Sequence, residues 1–349
     1  MLFRSGYADL AKREQVEPRH LFRIASISKP ITAVAILQLV EQGKLELDTK
    51  VFSLLDYEEA IKAANSFDNR IRNITIRHLL EHRGGWDRGK SFDAMFQSVR
   101  FAKQVNQEPP ADADAVIHAM FSQRLDFTPG ERYAYSNFGY CLLGRVIEKL
   151  TGKTYEQYVK VKVLKPIGVT EMRIGRSRLK DRAQNEVRYY HPGTGQSVFA
   201  ADLAKTVPWA YGGWHLEAMD SHGAWIASAS DLAKFAAAFD DPDRCPILSR
   251  ESIELMYRRP PGLAGHDTKG NPKDVYYSLG WQNRIIGEDR VNHWHTGSLS
   301  GTATILIRRH DGRNFAAVLN SRTSPSANHL GRAIDRLLHE GAAKVKSWK

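Results

Sequence analysis

The segment from Ile24 to Leu45 constrains the fold of this chain more than any other. It reads IASISKPITAVAILQLVEQGKL, and apolar residues occupy nearly every face of the helix that it predicts. Such a helix is stable only where other elements cover it, so we expect it at the centre of the protein. Pro30 is tolerated only in a first turn, which places the helix start close to Ser26, and Gly43 is typical of a helix end.

Two serines and a lysine lie at the start of this helix. Ser26 and Lys29 are three residues apart and therefore face the same side, whereas Ser28 is adjacent to the lysine and points elsewhere. Free backbone N–H groups at the helix start would stabilise an oxyanion near Ser26, and burial would lower the pKa of Lys29 towards that of a base. The same spacing also fits a capping serine beside a solvated lysine, so a nucleophile needs further partners.

Two later motifs supply such partners. Residues 135–137 read YSN and place a phenol and a side-chain amide two positions apart, in a loop before a predicted helix. Residues 295–297 read HTG at the start of a β-rich run, where Gly297 allows a close backbone approach. Each motif alone fits ordinary packing, and only the combination with Ser26 and Lys29 indicates nucleophilic catalysis.

Taken in this order, the three motifs resemble those of the serine β-lactamase and penicillin-binding-protein family. The Tyr-x-Asn and His-Thr-Gly forms are similar to those of one branch, which contains class C β-lactamases, D-alanyl-D-alanine carboxypeptidases, D-aminopeptidases and family VIII esterases. The segments ITIRHLLEHRGG, PGERYAYSNFGYCLLGRVIE and GAWIASASDLAKF resemble recurrent segments of that branch as well. The resemblance runs from about residue 20 to residue 340.

The resemblance implies an acyl-enzyme on Ser26. Lys29 and Tyr135 would share the proton transfers, and which of them is the base stays open. Asn137 would hold Lys29 and the amide oxygen of the substrate. The oxyanion hole would consist of the backbone N–H groups of Ser26 and Ser298.

On the opposite side of the pocket, the resemblance implies that His295, Thr296 and Gly297 form the border. The family often has a cationic lysine at the position of His295, and a histidine with its ordinary pKa is largely neutral at pH 7. Class C β-lactamases are expected to have an arginine late in the region that corresponds to NSRTSPSAN; here the late part of that segment has none, and Arg322, near its start, is the candidate to replace it. We therefore expect esters to be better substrates than β-lactams, with D-peptides as a third class.

The predicted fold is α+β and β-lactamase/transpeptidase-like, with an antiparallel sheet flanked by helices. We expect one domain over residues 1–349, with an α/β subregion at about 1–57 and 220–349, a mostly helical subregion at about 58–219, and the active site between them. SASDLAKFAAAF predicts a helix with Ser230 as its cap, and RRHDGRN predicts a hairpin between two β-rich runs.

Composition excludes few function classes here. The net charge of +11 comes from basic residues spread along the chain, without a nucleic-acid-binding motif, so a basic enzyme is the favoured interpretation. We expect no cofactor, no metal, no nucleic-acid partner and no membrane span, and we make no prediction of oligomeric state. No signal peptide is recognisable, which indicates a cytoplasmic protein as given and a periplasmic one if the natural precursor is longer.

Two other functions remain as alternatives. A catalytically weak scaffold or binding protein of the same fold would keep these motifs without turnover. HLLEH at 78–82 matches a zinc-peptidase pattern, in which His78 and His82 would bind the metal from one helix face, although no third ligand can be named. A Ser-His-Asp hydrolase ranks low because the Gly-x-Ser-x-Gly pattern is absent from the sequence.

Overall fold

The described part of the chain contains twelve α-helices and twelve strands, joined by loops and 3-10 turns. The computed structural model describes residues 3–64, 67–324 and 329–345. The helices are α1 Ser28–Glu41, α2 Val51–Leu54, α3 Glu58–Ala63, α4 Ile76–Leu80, α5 Ser98–Gln104, α6 Ala113–Met120, α7 Asn137–Thr151, α8 Tyr155–Val159, α9 Asp220–Gly223, α10 Ala229–Ala237, α11 Arg250–Tyr257 and α12 Leu330–Lys344.

The strands form one large antiparallel sheet and three small ones. They are β1 Tyr7–Asp9, β2 Glu14–Gln15, β3 Phe22–Arg23, β4 Arg173–Ile174, β5 Thr194–Gln196, β6 Thr206–Pro208, β7 Trp225–Ala227, β8 Val275–Tyr277, β9 Gln282–Gly287, β10 Arg290–Leu299, β11 Thr302–Arg308 and β12 Asn314–Leu319. The large sheet has the order β12-β11-β10-β9-β8, and the small ones pair β1 with β2, β7 with both β3 and β4, and β5 with β6. The architecture is α+β, as the sequence predicts.

Helix α1 lies in the middle of the molecule. Every residue from Ser28 to Leu39 is buried, and the helix packs against α7, α8 and α9. Its apolar side chains join a hydrophobic core that extends over both the helices and the large sheet. The prediction of a central helix is confirmed, and Gly43, with φ of +66°, follows its end.

The large sheet is covered on both faces, which follows from the period-two pattern of β11. Ile305 and Ile307 face α12, where they pack against Ile334 and Leu338, and Leu306 joins the main core on the opposite face. The hairpin between β11 and β12 is confirmed, with Arg308 paired to Asn314. Because both faces of the sheet are packed against other elements, β10 is held rigidly in position and can present residues to a site.

Three local expectations differ from the structure. The cap of α10 is Ser228 rather than Ser230, because the Ser228 hydroxyl accepts from the Asp231 N–H and the Asp231 carboxylate bonds back to Ser228 N–H. The β-rich run after residue 290 is two strands, since a turn at Ser300–Gly301 separates β10 from β11. Strands β8 and β9 had no clear alternating pattern and were missed. Among the described residues, no helix combines the length and the apolar character needed to cross a bilayer.

Candidate active site

Ser26 lies in a 3-10 turn, Ala25–Ile27, that leads directly into α1. This turn projects the serine at the start of the helix, next to Ala25, whose φ of +48° is unusual for a residue other than glycine. Lys29 Nζ lies 3.2 Å from Ser26 Oγ, as their spacing predicts. The Ser28 hydroxyl instead donates to the carbonyl of Ala25 at 2.7 Å, which removes it from the pair.

Lys29 is fully buried and has three polar neighbours. Besides Ser26 Oγ, its Nζ lies 2.8 Å from Asn137 Oδ1 and 3.0 Å from the backbone oxygen of His222. Burial lowers the pKa of Lys29 well below its usual value, and the nearby carboxylate of Asp93 opposes this only in part. Burial therefore favours the uncharged form of the amine that lies beside the Ser26 hydroxyl.

The YSN segment reaches the same place because α7 begins there. Ser136 is the N-cap of α7 and accepts a hydrogen bond from Gly139 N–H, which fixes Asn137 in the first turn of the helix. The Ser136 N–H donates to His82 Nδ1 at 3.2 Å. The His82 ring in turn packs against that of Tyr135, with ring centroids 4.3 Å apart.

Tyr135 completes the group around Ser26. Lys29 Nζ lies 4.8 Å from the centroid of its ring, and its phenol is hydrogen-bonded to Ser26. Burial raises the pKa of Tyr135, and the hydrogen bond to Ser26 offsets that only in part. At neutral pH this phenol keeps its proton, so it can donate one and relay one.

Strand β10 lies directly against the segment that carries the nucleophile. A Cβ at Gly297 would lie 2.1 Å from the carbonyl oxygen of Ile24 and 2.3 Å from Thr304 Oγ1. The Thr304 hydroxyl donates to that same carbonyl at 2.9 Å. Only glycine fits at this position, because the backbone of β10 must come this close to bring the next residues to Ser26.

His295 is buried and uncharged. Its Nδ1 lies 2.8 Å from the carbonyl oxygen of Thr296, an acceptor, so this nitrogen carries the hydrogen and Nε2 accepts from the hydroxyl of Tyr277 at 3.0 Å. Burial, with a smaller effect from Lys29, lowers the pKa of His295 to about 3. The position therefore provides no cation in the physiological pH range.

These residues line one open cleft of about 460 Å³ between the helices and the sheet. The predicted site residues that line it are Ser26, Tyr135, Asn137, His295, Thr296, Ser298 and Arg322. Lys29 lies behind Ser26 in the wall of the cleft and Gly297 lies behind β10. The structure thus brings together side chains that are up to 296 positions apart in the chain.

Arg322 lies at the sheet side of the cleft. Its Nε is buried and has no hydrogen-bond partner among the described residues. Its charge contributes to the lowered pKa of His191 and of His329, in both of which burial is the larger cause. A cation with an unused buried N–H group at the edge of the cleft can bind an anionic group of a substrate by donating a hydrogen bond to it.

The comparisons with known proteins agree with the motifs. The Beta-lactamase family model matches residues 1–339. The chain belongs to the Beta-lactamase family. It is 28% identical over 323 residues to penicillin-binding protein 4* of Bacillus subtilis. The aligned stretch covers 91% of this chain and 64% of that protein. The chain thus spans somewhat less than two thirds of this relative.

Solved structures of similar fold include a penicillin-binding protein homologue and an amidase. The octameric penicillin-binding protein homologue from Pyrococcus abyssi is 25% identical with a TM-score of 0.69, over 96% of this chain and 69% of that one. The D-amino acid amidase of Ochrobactrum anthropi SV3 is 21% identical with a TM-score of 0.70, over 98% of this chain and 90% of that one. Both show that the fold is the β-lactamase/transpeptidase-like fold that the sequence predicts.

The structure does not support the zinc alternative. Helix α4 ends at Leu80, and His82 follows it with φ of +55°, so His78 and His82 do not share a helix face. His78 Nδ1 accepts from the Thr75 N–H in a capping box, and His82 Nδ1 is taken by Ser136 N–H. No three His, Cys, Asp or Glu side chains are grouped as metal ligands in residues 3–64, 67–324 and 329–345. In this member of the Beta-lactamase family, HLLEH is a structural motif.

Sequence reasoning missed four residues of the site. The Tyr277 hydroxyl donates to His295, and the backbone carbonyl of His222 accepts from Lys29. The Arg88 guanidinium stacks over the Tyr135 ring, 4.5 Å from its centroid. Asp93 accepts a hydrogen bond from Asn137 Nδ2 at 2.7 Å. None of them belongs to a motif, and they reach the site from three segments distant from Ser26 in the sequence, so only the folded chain reveals them.

Proposed function

We propose that this protein is a serine hydrolase that forms an acyl-enzyme on Ser26. The observation that carries the proposal is the 3.2 Å distance between Ser26 Oγ and the buried Nζ of Lys29. A nucleophile and a base within hydrogen-bond reach, with a phenol on the other side, form the minimum set for acyl transfer. Family membership supports the same chemistry.

In the proposed acylation step, the Ser26 proton passes to the uncharged amine of Lys29 as Oγ bonds to the carbonyl carbon of the substrate. Lys29 fits the role of base because burial lowers its pKa, whereas burial raises that of Tyr135. The developing oxyanion would bind to the N–H groups of Ser26 and Ser298. As the bond to the leaving group breaks, the proton on Lys29 reaches that group through the hydroxyl of Tyr135.

Water then attacks the ester carbonyl of the acyl-enzyme. The water proton returns through the same groups, the acid is released, and the Ser26 hydroxyl is restored. Asn137 would hold the amide or ester oxygen of the acyl group with its second N–H. Thr296, on β10, would bind the substrate from the other side of the cleft.

We also propose that the chain consists of an α/β subregion, about 1–57 and 220–349, and a helical one, about 58–219. The large sheet supports this division because all of its strands lie within residues 275–319.

Substrates are proposed to be small esters or amides, with esters preferred over β-lactams. The uncharged His295 supports this order because it offers no cation to a substrate carboxylate next to Thr296. Arg322 is the remaining cation on that side and would bind such a carboxylate from further along the cleft. D-amino acid amides and D-peptides stay within the proposed range, in line with the amidase of similar fold.

Intact-mass spectrometry tests the proposal. The protein is exposed separately to a fluorophosphonate, a penicillin and a p-nitrophenyl ester, with Ser26→Ala as the control. We expect a covalent adduct on the wild type from the fluorophosphonate and from the ester, and none on S26A. If none of the three forms an adduct, the protein is a scaffold or binding protein of the same fold. A panel of kcat/KM values then ranks esters, β-lactams and D-amino acid amides, and nitrocefin turnover far above that of every ester would contradict the order.

A further inference from the structure

Asp93 lies next to the active site and holds two segments together. Its Oδ1 accepts from the Met95 N–H at 3.2 Å and so caps the 3-10 turn Ala94–Phe96, and its Oδ2 accepts from Asn137 Nδ2 at 2.7 Å. Arg88 Nη1 lies 3.6 Å from the same Oδ2, and the Asp93 side chain is only 16% exposed. Neither oxygen of this carboxylate is left to solvent alone.

This contact determines which way the Asn137 amide faces. A carboxylate has no hydrogen to donate, so only the NH₂ end of Asn137 can lie against it. The Oδ1 end must then face the opposite direction, where it lies 2.8 Å from Lys29 Nζ. With the amide turned round, two oxygens would meet at Asp93 and two nitrogens at Lys29, and both hydrogen bonds of the amide would weaken.

The amide orientation in turn directs the lone pair of Lys29. An uncharged amine has two N–H bonds and one lone pair. Two of the three neighbours of Nζ, Asn137 Oδ1 and the backbone oxygen of His222, are acceptors only, so they take both hydrogens. The third direction, towards Ser26 Oγ at 3.2 Å, is left for the lone pair.

We propose that Asp93 is a positioning residue that, by fixing the amide of Asn137, directs the lone pair of Lys29 at the hydroxyl of Ser26. The inference rests on the proposed acylation of Ser26 and adds a residue that no motif contains. In the acylation step the Ser26 proton moves along this line to Nζ, and the resulting ammonium donates to Asn137 Oδ1, to the His222 carbonyl and to the new ester oxygen. The hydrogen bonds to Asn137 and His222 thus persist in both protonation states.

Asp93→Asn tests this with almost no change of shape. Asparagine is as good a cap as aspartate, so its one oxygen stays with Met95 N–H and its NH₂ group faces Asn137. Two NH₂ groups then oppose each other, which favours the reversed Asn137 amide and leaves an N–H pointing at Lys29. The amine lone pair is drawn to that N–H and away from Ser26.

The experiment measures the second-order rate of fluorophosphonate labelling of the full chain from pH 5 to 10. We expect D93N to label about 10- to 100-fold more slowly than the wild type at neutral pH, a typical loss for a misdirected general base. Asp112→Asn is the matched control, because Asp112 caps α6 in the same way and lies outside the cleft. D112N should label at the wild-type rate.

The pH at which the labelling rate falls on the acid side, the acid limb of the profile, distinguishes a positioning role of Asp93 from a merely structural one. The Asp93 carboxylate raises the pKa of Lys29, so its removal should move the acid limb of the rate to lower pH while the plateau falls. Besides Asp93, Arg88 is the one charged group near Lys29 in the described part of the chain, since burial keeps the histidines neutral and the tyrosines protonated. These groups are His82, His222, His295, Tyr135 and Tyr140.

Comparison of the double variant with the single variants tests whether Asp93 acts through Asn137. If Asp93 acts through Asn137, then D93N combined with Asn137→Ala labels as fast as N137A alone. Additive losses, or a D93N rate within threefold of wild type with an unmoved acid limb, would overturn the inference and leave acylation of Ser26 standing. A wild type that does not label at all would overturn both. If D93N does not fold, Asp93→Ala in the same comparison decides between the two outcomes.

Discussion

Replacing Gly297 by alanine tests the closest approach in the site. The added Cβ would lie 2.1 Å from the Ile24 carbonyl oxygen, against at least 3.4 Å for ordinary contact, so the two backbones would have to separate by about 1.3 Å. Neither contact is the tip of a flexible side chain, because one is a backbone oxygen and the other is the hydroxyl of the buried Thr304, which bonds to that oxygen. Strand β10 is therefore displaced relative to Ser26.

The displacement should slow acylation while leaving the protein folded. A misplacement of about 1 Å lowers the rate of a positioned reaction roughly 100-fold, and extra volume in a packed interior costs about 1–3 kcal/mol. The Ser298 N–H, the next donor along β10, moves with Gly297 and leaves the oxyanion. We expect Gly297→Ala to show about 100-fold slower release of p-nitrophenol in a single turnover, with a lowered but cooperative thermal transition.

Gly341→Ala is the matched control for this experiment. Gly341 lies in α12, and within the described residues no other side chain or neighbouring segment comes within 4 Å of the point that its Cβ would occupy. Alanine there should leave the rate unchanged and stabilise the helix slightly. The reasoning is refuted if G297A acylates within threefold of the wild type, or if its Tm equals that of the wild type. Either result would mean that β10 does not press against the nucleophile segment as described.

Three further predictions follow from charges and hydrogen bonds at the site. Acylation should fall with decreasing pH only below the lowered pKa of Lys29, so the fall should begin well below the pH of about 10.4 at which an ordinary lysine becomes charged, and a fall that begins near pH 10 would contradict this. Ser28→Ala should acylate within twofold of the wild type because its hydroxyl binds Ala25 and not Lys29, and a loss beyond tenfold would assign Ser28 a role. Arg322→Met should raise KM about tenfold for esters that carry a carboxylate, from the loss of ~1.5 kcal/mol, and leave uncharged esters unchanged, whereas equal effects on both would rule out anion binding.

The central helix and the three motifs could be predicted from sequence because their signals are local. Apolar residues on every face of α1, the Ser26–Lys29 spacing and the Asp311–Gly312 turn each act within a few residues. The exact ends of elements were less predictable. The α4 helix ends at Leu80, before Gly84 and Gly85. His82 lies beyond its end, where its carbonyl oxygen accepts from the Ala134 N–H and its Nδ1 accepts from the Ser136 N–H.

The supporting residues of the site could not be predicted in the same way. Arg88 lines the cleft from a loop, whereas Asp93, at the start of a 3-10 turn, and Tyr277, on a short strand, contact its residues Asn137 and His295 from behind. No sequence pattern connects these three residues to Ser26. The sequence predicts a largely neutral His295 only if its pKa is ordinary, and the burial that lowers its pKa to about 3 appears only in the folded chain. Local propensity determines elements, whereas such contacts depend on how distant segments pack.

The position of the covalent adduct tests the central claim most directly. After labelling with a fluorophosphonate, tryptic digestion and fragmentation of the peptide that begins at Ile24 assign the added mass to one hydroxyl. The geometry around Lys29 predicts that all of it lies on Ser26. A modified Ser28 in that peptide, or an adduct elsewhere in the chain with Ser26 unmodified, would contradict the account.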